Sequence, residues 1–227
     1  MKSIKTKMLS TDGVELKNYV KDGMKIMIGG FGMCGMPEQL VKFLAETGVK
    51  DLTIISNNCG LEDKGIGLLL NNGQVKCIYS SYVGENDNVA KLAFSGQLIA
   101  NLTPQGTLAE KIRCGGSGIP AFYTPTGAHT IVEEGKEMRK FNDKDCLLEE
   151  ALTADIALIK ASKSDLYGNL VYHGTAQNFN PLMAKAATKT FAEVEEMVEM
   201  LDPNHIHTPF IYVNYVMKVN YPKFIER

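Results

Sequence analysis

Neither sign of charge dominates this chain of 227 residues. Lysine and arginine together number 24 and aspartate and glutamate 26, for a net charge of −2. With no basic block or stripe there is no electrostatic footprint for a phosphate backbone, so no nucleic-acid partner is expected. No run approaches the roughly 18 apolar residues of a membrane span, and the N-terminal M-K-S-I-K-T-K-M-L-S lacks the apolar core of a signal peptide. A cytoplasmic protein without a membrane partner is the expectation. Cysteine is scarce: Cys34, Cys59, Cys77, Cys114 and Cys146 form an odd set with no C-x-x-C spacing, which argues for reduced thiols rather than a disulfide framework or a zinc site. The chain is long enough to bury a full core without either.

Several chemistries are missing their residues. There is no G-x-S-x-G elbow, no H-E-x-x-H and no P-loop lysine, which leaves serine hydrolase, zinc hydrolase and nucleotide kinase readings without support. His205 and His207 are too few ligands for a metal site and read as solvated loop residues; no metal is expected. His129 and His173 stand beside glycine- or asparagine-rich stretches, where each is either a general base or an exposed structural residue. Cys34, Cys59 and Cys114 fall in polar or glycine-rich stretches, as reactive thiols or as small residues filling tight turns.

What is present is a regular alternation. Short apolar runs at 26–28, 52–56, 75–80 and 98–102 alternate with helical spacings at 37–47, 66–71, 87–94 and 107–113. This β-α rhythm predicts an α/β fold, an open and mainly parallel sheet with helices on both faces. After the glycine- and proline-rich stretch 114–127, which reads as irregular, a hairpin is expected from 138–141 to 146–149. Core strands follow at 156–161, 170–172, 190–194 and 211–214, with a helix at 181–187. No repeat or linker interrupts residues 1–227, so one domain is expected.

The chain is organised around Asp22 to Pro37, D-G-M-K-I-M-I-G-G-F-G-M-C-G-M-P. A strand runs through glycines 29, 30, 32 and 35 into a helix that starts near Pro37. The glycines would let a ligand approach the backbone, and the helix start would offer N–H groups to an anion. Gly30 to Gly35 matches G-x-G-x-x-G, but the second strand ends in Asn57-Asn58-Cys59 with no carboxylate for a ribose, which weakens an NAD-dependent oxidoreductase reading. Ligands of parallel sheets bind at the carboxyl ends of the strands. Those ends carry Ser56-Asn57-Asn58, Ser80 to Asn86, and Thr103-Pro104-Gln105-Gly106. They supply amides and hydroxyls, suited to a carbonyl or carboxylate that gains charge during reaction. Glu85 is the one carboxylate immediately after a strand, either a nucleophile or a solvated acid capping the next helix.

These residues resemble the alpha subunits of the class I coenzyme A transferases that act on 3-oxo acids. Their signature is matched by Asp22-Gly23, Ile26-Met27-Ile28, Gly29-Gly30-Phe31, Gly35 and Pro37. The likeness continues through S-N-N-C-G at 56–60, S-S-Y-V-G-E-N at 80–86, T-P-Q-G-T-L-A-E-K-I-R at 103–113, G-I-P-A-F-Y-T-P-T-G at 118–127 and N-F-N-P at 178–181. The resemblance implies the coenzyme A transferase family I fold. It also implies transfer of coenzyme A between a short acyl-CoA (butyryl-, acetyl- or succinyl-CoA) and acetoacetate, with a coenzyme A thioester as substrate and no permanently bound cofactor. In the family a glutamate of the beta subunit forms an acyl anhydride and then a glutamyl-CoA thioester. This chain would therefore carry half of a hetero-oligomeric active site and no catalytic nucleophile of its own. By the same resemblance Gly29, Gly30, Phe31, Gly32, Met33, Cys34 and Gly35 would bind coenzyme A, while Asn57, Asn58 and Gln105, next to Gly106, would face the thioester. His173 and Gln177 stand where many succinyl-CoA-using relatives have arginines, and Y-H-G-T at 172–175 is closer to the butyrate or acetate type. S-N-N-C-G is closer to the succinyl type. The balance leans to short monocarboxylates. A non-catalytic ligand-binding module on the same fold is the alternative.

Overall fold

The computed structural model describes residues 13–220. Its spine is a sheet built from β1 (Lys25–Ile28), β2 (Leu52–Ile55), β3 (Val75–Ser80), β4 (Ile99–Leu102), β8 (Ala154–Asp165), β10 (Ala187–Val198) and β11 (Tyr215–Lys218). They lie in the order β11-β10-β8-β1-β2-β3-β4. Every pairing along this path is parallel, and β9 (Leu170–Val171) joins β8 antiparallel. Alternate residues of the strands feed two cores, as the two-residue period of a strand requires. Ile26, Ile28, Leu52, Ile54, Ile156, Leu158 and Phe191 pack with α1 (Val14–Tyr19), α2 (Glu38–Glu46), α3 (Ile66–Asn71) and α4 (Asp87–Phe94). Met27, Ile55, Ala157, Ile159, Ala192 and Val194 face the other way, toward Leu108 and Ile112 of α5 (Gln105–Gly116) and Met183 and Ala184 of α6 (Asn180–Ala186). The expected α/β sheet with helices on both faces is what forms.

Strand order reverses at β1, where the chain builds outward through β2, β3 and β4 and then returns to add β8 on the other side. Such a switch point opens a crevice at the strand ends. The glycine loop leaves the sheet there, with Gly29 N–H still bonded to Leu158 O at 2.9 Å.

Four expectations need correction. The stretch 114–127 is not irregular: α5 continues to Gly116 and β5 spans Ala121–Thr124. Gly115 and Gly116 sit in the helix because a Cβ would run into Leu152 O at the first and into Lys185 at the second. The hairpin of β6 (Met138–Phe141) and β7 (Lys144–Glu150) turns through Asn142 and Asp143, both at positive φ. It pairs with β5 in a separate antiparallel sheet, off the main one. Strands β8 and β10 are twelve residues long rather than five or six, because charged residues beyond the apolar run pair across them, Lys163 to Glu196 at 2.7 Å. The last strand is β11, not 211–214; Pro209 leads into a 3-10 turn at Phe210–Tyr212 instead.

At the far edge, β4 is paired on one side only and is uncovered on both faces, with Ile99 56% and Leu102 58% exposed. Phe94, at the end of the neighbouring helix α4, is 93% exposed.

Candidate active site

The glycine loop is a tight hairpin. Phe31 and Cys34 exchange backbone bonds of 2.9 and 3.0 Å around Gly32 and Met33, and Gly32 takes the positive φ of 60° that the turn needs. The segment it packs against explains most of its glycines. A Cβ on Gly29 would overlap the Asn180 side-chain oxygen, and one on Gly35 would lie 2.7 Å from Ala176 O. Asn180 is fully buried; its Nδ2 donates to Gly35 O and Ala176 O, and its Oδ1 accepts from Lys160 N–H at 3.0 Å. Asn178 Nδ2 donates to Cys34 O at 3.0 Å. The N-F-N-P stretch at 178–181 is therefore the brace of the loop. Gly29 and Gly35 serve this close approach, and Gly32, with only Asn58 Nδ2 near its hypothetical Cβ at 4.0 Å, keeps open space.

The helix behind the loop does not wait for an anion. Glu193 of β10, fully buried, accepts from Gln39 N–H and Leu40 N–H at 3.0 and 3.1 Å. An internal carboxylate thus caps α2 and satisfies its N-terminus.

The strand-end amides do converge. Asn57 and Asn58, each 3% exposed, follow β2. The Asn57 carbonyl accepts from Ser80 Oγ and Ser81 Oγ at 2.9 Å each, so the end of β3 fixes its backbone. Its Nδ2 donates to Ser81 Oγ at 2.8 Å and to Gln105 Oε1 at 3.3 Å. Asn58 Nδ2 donates to Glu85 Oε2 at 3.3 Å. Glu85 is exposed and is not the cap of α4; Asn86 is, accepting from Asn88 N–H at 3.1 Å. Asn57, Asn58, Gln105 and Glu85 therefore form one connected cluster. Ser80, Ser81, Glu193 and Asn180 were not singled out from sequence, although the motifs around three of them were.

Helix α5 begins at this cluster without a side-chain cap. Among the described residues the N–H groups of Gln105, Gly106 and Thr107 have no protein partner. Thr107 Oγ1 is buried with none either. With Asn57 occupying Gln105 Oε1, the Gln105 amide nitrogen and this helix terminus remain as donors, which suits negative charge developing on oxygen. Beside them a cleft of about 280 Å3 opens between Phe31 of the glycine loop, Gln105, Gly106 and Ala109 of α5, and Asn178, Phe179 and Leu182.

The other candidates stand apart. Cys59 is buried in its loop, and burial pushes its thiol up to about 11 despite a hydrogen bond with Ser80. Cys114 is buried on α5, and desolvation raises it also. Neither has the depressed pKa of a reactive thiol. Cys34 Sγ lies 3.1 Å from Thr175 Oγ1. His129 pairs with Asp145 and His205 with Asp202, both at 3.0 Å, and His207 Nδ1 accepts from Tyr172 N–H. All four histidines are exposed, and none bonds to the amide cluster. Among the described residues no group of three or more His, Cys, Asp or Glu could hold a metal ion, and no helix is long and apolar enough to cross a membrane.

A switch-point crevice lined by amides and an uncapped helix terminus, without a nucleophile in contact, describes a transferase half-site. Residues 13–219 match the family model described as coenzyme A transferase, and the chain belongs to that family. Over 220 residues it is 52% identical to one of the separately encoded subunits of the succinyl-CoA:3-ketoacid coenzyme A transferase of Helicobacter pylori, covering 96% of this chain and 95% of that one. It is 49% identical to the human mitochondrial succinyl-CoA:3-ketoacid coenzyme A transferase 2 over 95% of this chain but 46% of the human protein, so it spans about half of that relative. Among solved structures, the acyl-CoA transferase YdiF of E. coli O157:H7, in a thioester complex with CoA, superposes with a TM-score of 0.84 at 23% identity, over 95% of this chain and 47% of YdiF. Glutaconate coenzyme A-transferase from Acidaminococcus fermentans gives 0.80 at 19% identity, over 94% of this chain and 76% of its own. At these identities the two structures speak to the fold alone.

Proposed function

We propose that this chain is the alpha subunit of a 3-oxoacid coenzyme A transferase, acting as one domain over 1–227 and assembled with a separate beta subunit. It moves coenzyme A between a short acyl-CoA and acetoacetate. The observation that carries the reading is the cluster of Asn57, Asn58 and Gln105 at the switch point: it offers donors and no competing nucleophile. The full-length likeness to bacterial chains that are each named as one subunit of such a transferase supports the partner.

In this reading a glutamate of the beta chain attacks the thioester carbonyl. The tetrahedral oxyanion is held by the Gln105 amide and the N-terminus of α5, and it collapses to an acyl anhydride as the coenzyme A thiolate leaves. The thiolate attacks the glutamyl carbonyl of the anhydride, which frees the first acid as its carboxylate and leaves a glutamyl-CoA thioester. Acetoacetate repeats the two steps in reverse and restores the glutamate. Gly29 to Gly35, with Phe31, Met33 and Cys34, forms the wall along which coenzyme A lies. Glu85 orients Asn58 and does not attack.

The test is to assay the chain alone and with its co-expressed partner, and to trap the intermediate with borohydride. The expected outcome is no transfer by the isolated chain, full exchange by the complex, and a modified glutamate on the partner. Exchange by the isolated chain that disappears in Glu85→Gln would replace this reading with one in which Glu85 is the nucleophile.

A further inference from the structure

The cleft beside the amide cluster has no charged side chain in its wall. Phe31, Ala109, Phe179 and Leu182 give it an apolar lining, and its polar members are committed elsewhere. Asn178 spends its nitrogen on Cys34 O and Thr175 O and its oxygen on Phe179 N–H and Asn180 Nδ2. Gln105 Oε1 is taken by Asn57. The free donors, Gln105 Nε2 and the N-terminus of α5, lie at the end of the cleft that meets the amide cluster, where the reacting carbonyl is held. Beyond them the walls are Ala109 and Leu182, one on each of the packed helices α5 and α6.

We infer that this cleft receives the hydrocarbon tail of a short, uncharged acyl group such as butyryl, and that it selects against an acyl group ending in a second carboxylate. The inference rests on the transferase reading. Its chemistry is general: a small apolar pocket with a few polar groups at one end orients the reacting head and desolvates the tail. A distal carboxylate carried into the same walls would lose its water and meet no counter-charge. The donor named in the relatives, succinyl-CoA, carries such a carboxylate; this cleft offers it no lysine, arginine or histidine.

The experiment is kcat/KM of the assembled two-subunit enzyme with acetoacetate and each of acetyl-, butyryl- and succinyl-CoA. Butyryl-CoA is expected to exceed acetyl-CoA by about tenfold or more, the usual discrimination of an apolar pocket for added methylenes, and succinyl-CoA by about as much. Ala109→Leu, which fills the cleft, should lower the butyryl value at least fivefold more than the acetyl value, by the same pocket discrimination. Leu182→Arg, which supplies a cation, should raise the succinyl-to-butyryl ratio by about tenfold, as a carboxylate gains a charge-assisted partner. Wild-type preference for succinyl-CoA, or an equal loss of acetyl and butyryl transfer in Ala109→Leu, would overturn the inference and leave the transferase reading intact. No transfer from any donor would defeat the transferase reading, and this inference with it. If Leu182→Arg fails to fold by circular dichroism, the wild-type ratios and Ala109→Leu still decide.

Discussion

Asn180 ties three parts of the molecule together through one side chain. Its amide nitrogen holds the glycine loop at Gly35 O, its oxygen holds β8 at Lys160 N–H, and its bulk occupies the space where a Gly29 side chain would be. Asn180→Ala strands buried partners and should cost about 2–3 kcal/mol in denaturant unfolding. Gly29→Ala alone forces an overlap and should cost about as much. In the double variant the new methyl enters the vacated space, so the two losses should fall short of additive by about 1 kcal/mol or more. Strict additivity would mean that the glycine is required by something other than Asn180. The glycines themselves were plain in the sequence, as was the N-F-N-P motif. That each explains the other was not, because they lie some 145 positions apart and no local pattern carries such a contact.

At the scale of elements, two helix termini that look alike in sequence differ in kind. Both α2 and α5 start just after a proline and follow a strand end. Helix α2 is capped by Glu193, which belongs to a strand about 150 residues later, whereas α5 has no cap and remains available. Strand ends and amides were legible because apolar runs and polar turns are local signals. A buried acid within an alternating strand gives no local sign of what it faces. Glu149 is a second such acid, nearly fully buried on β7 and bonded by Lys111 of α5 and Lys136 at 2.8 and 2.6 Å. Burial pushes its carboxyl up, but the two lysines outweigh this and hold it below its ordinary value near 4.5. The stabilisation that follows is fully present above that value and fades as pH falls through the lower folded one. Glu149→Gln should therefore melt earlier than wild type at pH 7, with the gap narrowing at acidic pH. A pH-independent gap in thermal melts would assign the loss to packing alone.

At the scale of the whole molecule, the sheet and its two cores follow from alternation along the strands, and the order of its first four strands could be read from the β-α rhythm. The lengths of β8 and β10 could not, because their outer halves are held by cross-strand ion pairs that resemble surface sequence. The other end of the sheet is uncovered: β4 is an open edge with Ile99, Leu102 and Phe94 in water. An apolar strand with unpaired backbone is a template for the next chain that drifts past. Synthesised alone, the protein should scatter light increasingly with concentration and time, and Phe94→Lys with Ile99→Lys should abolish that turbidity without changing the circular dichroism spectrum. If the variant precipitates as the wild type does, the edge is harmless. If it stays clear, then in the cell the order and balance of synthesis matter, because each molecule made in excess of whatever shields that edge is a seed for aggregation.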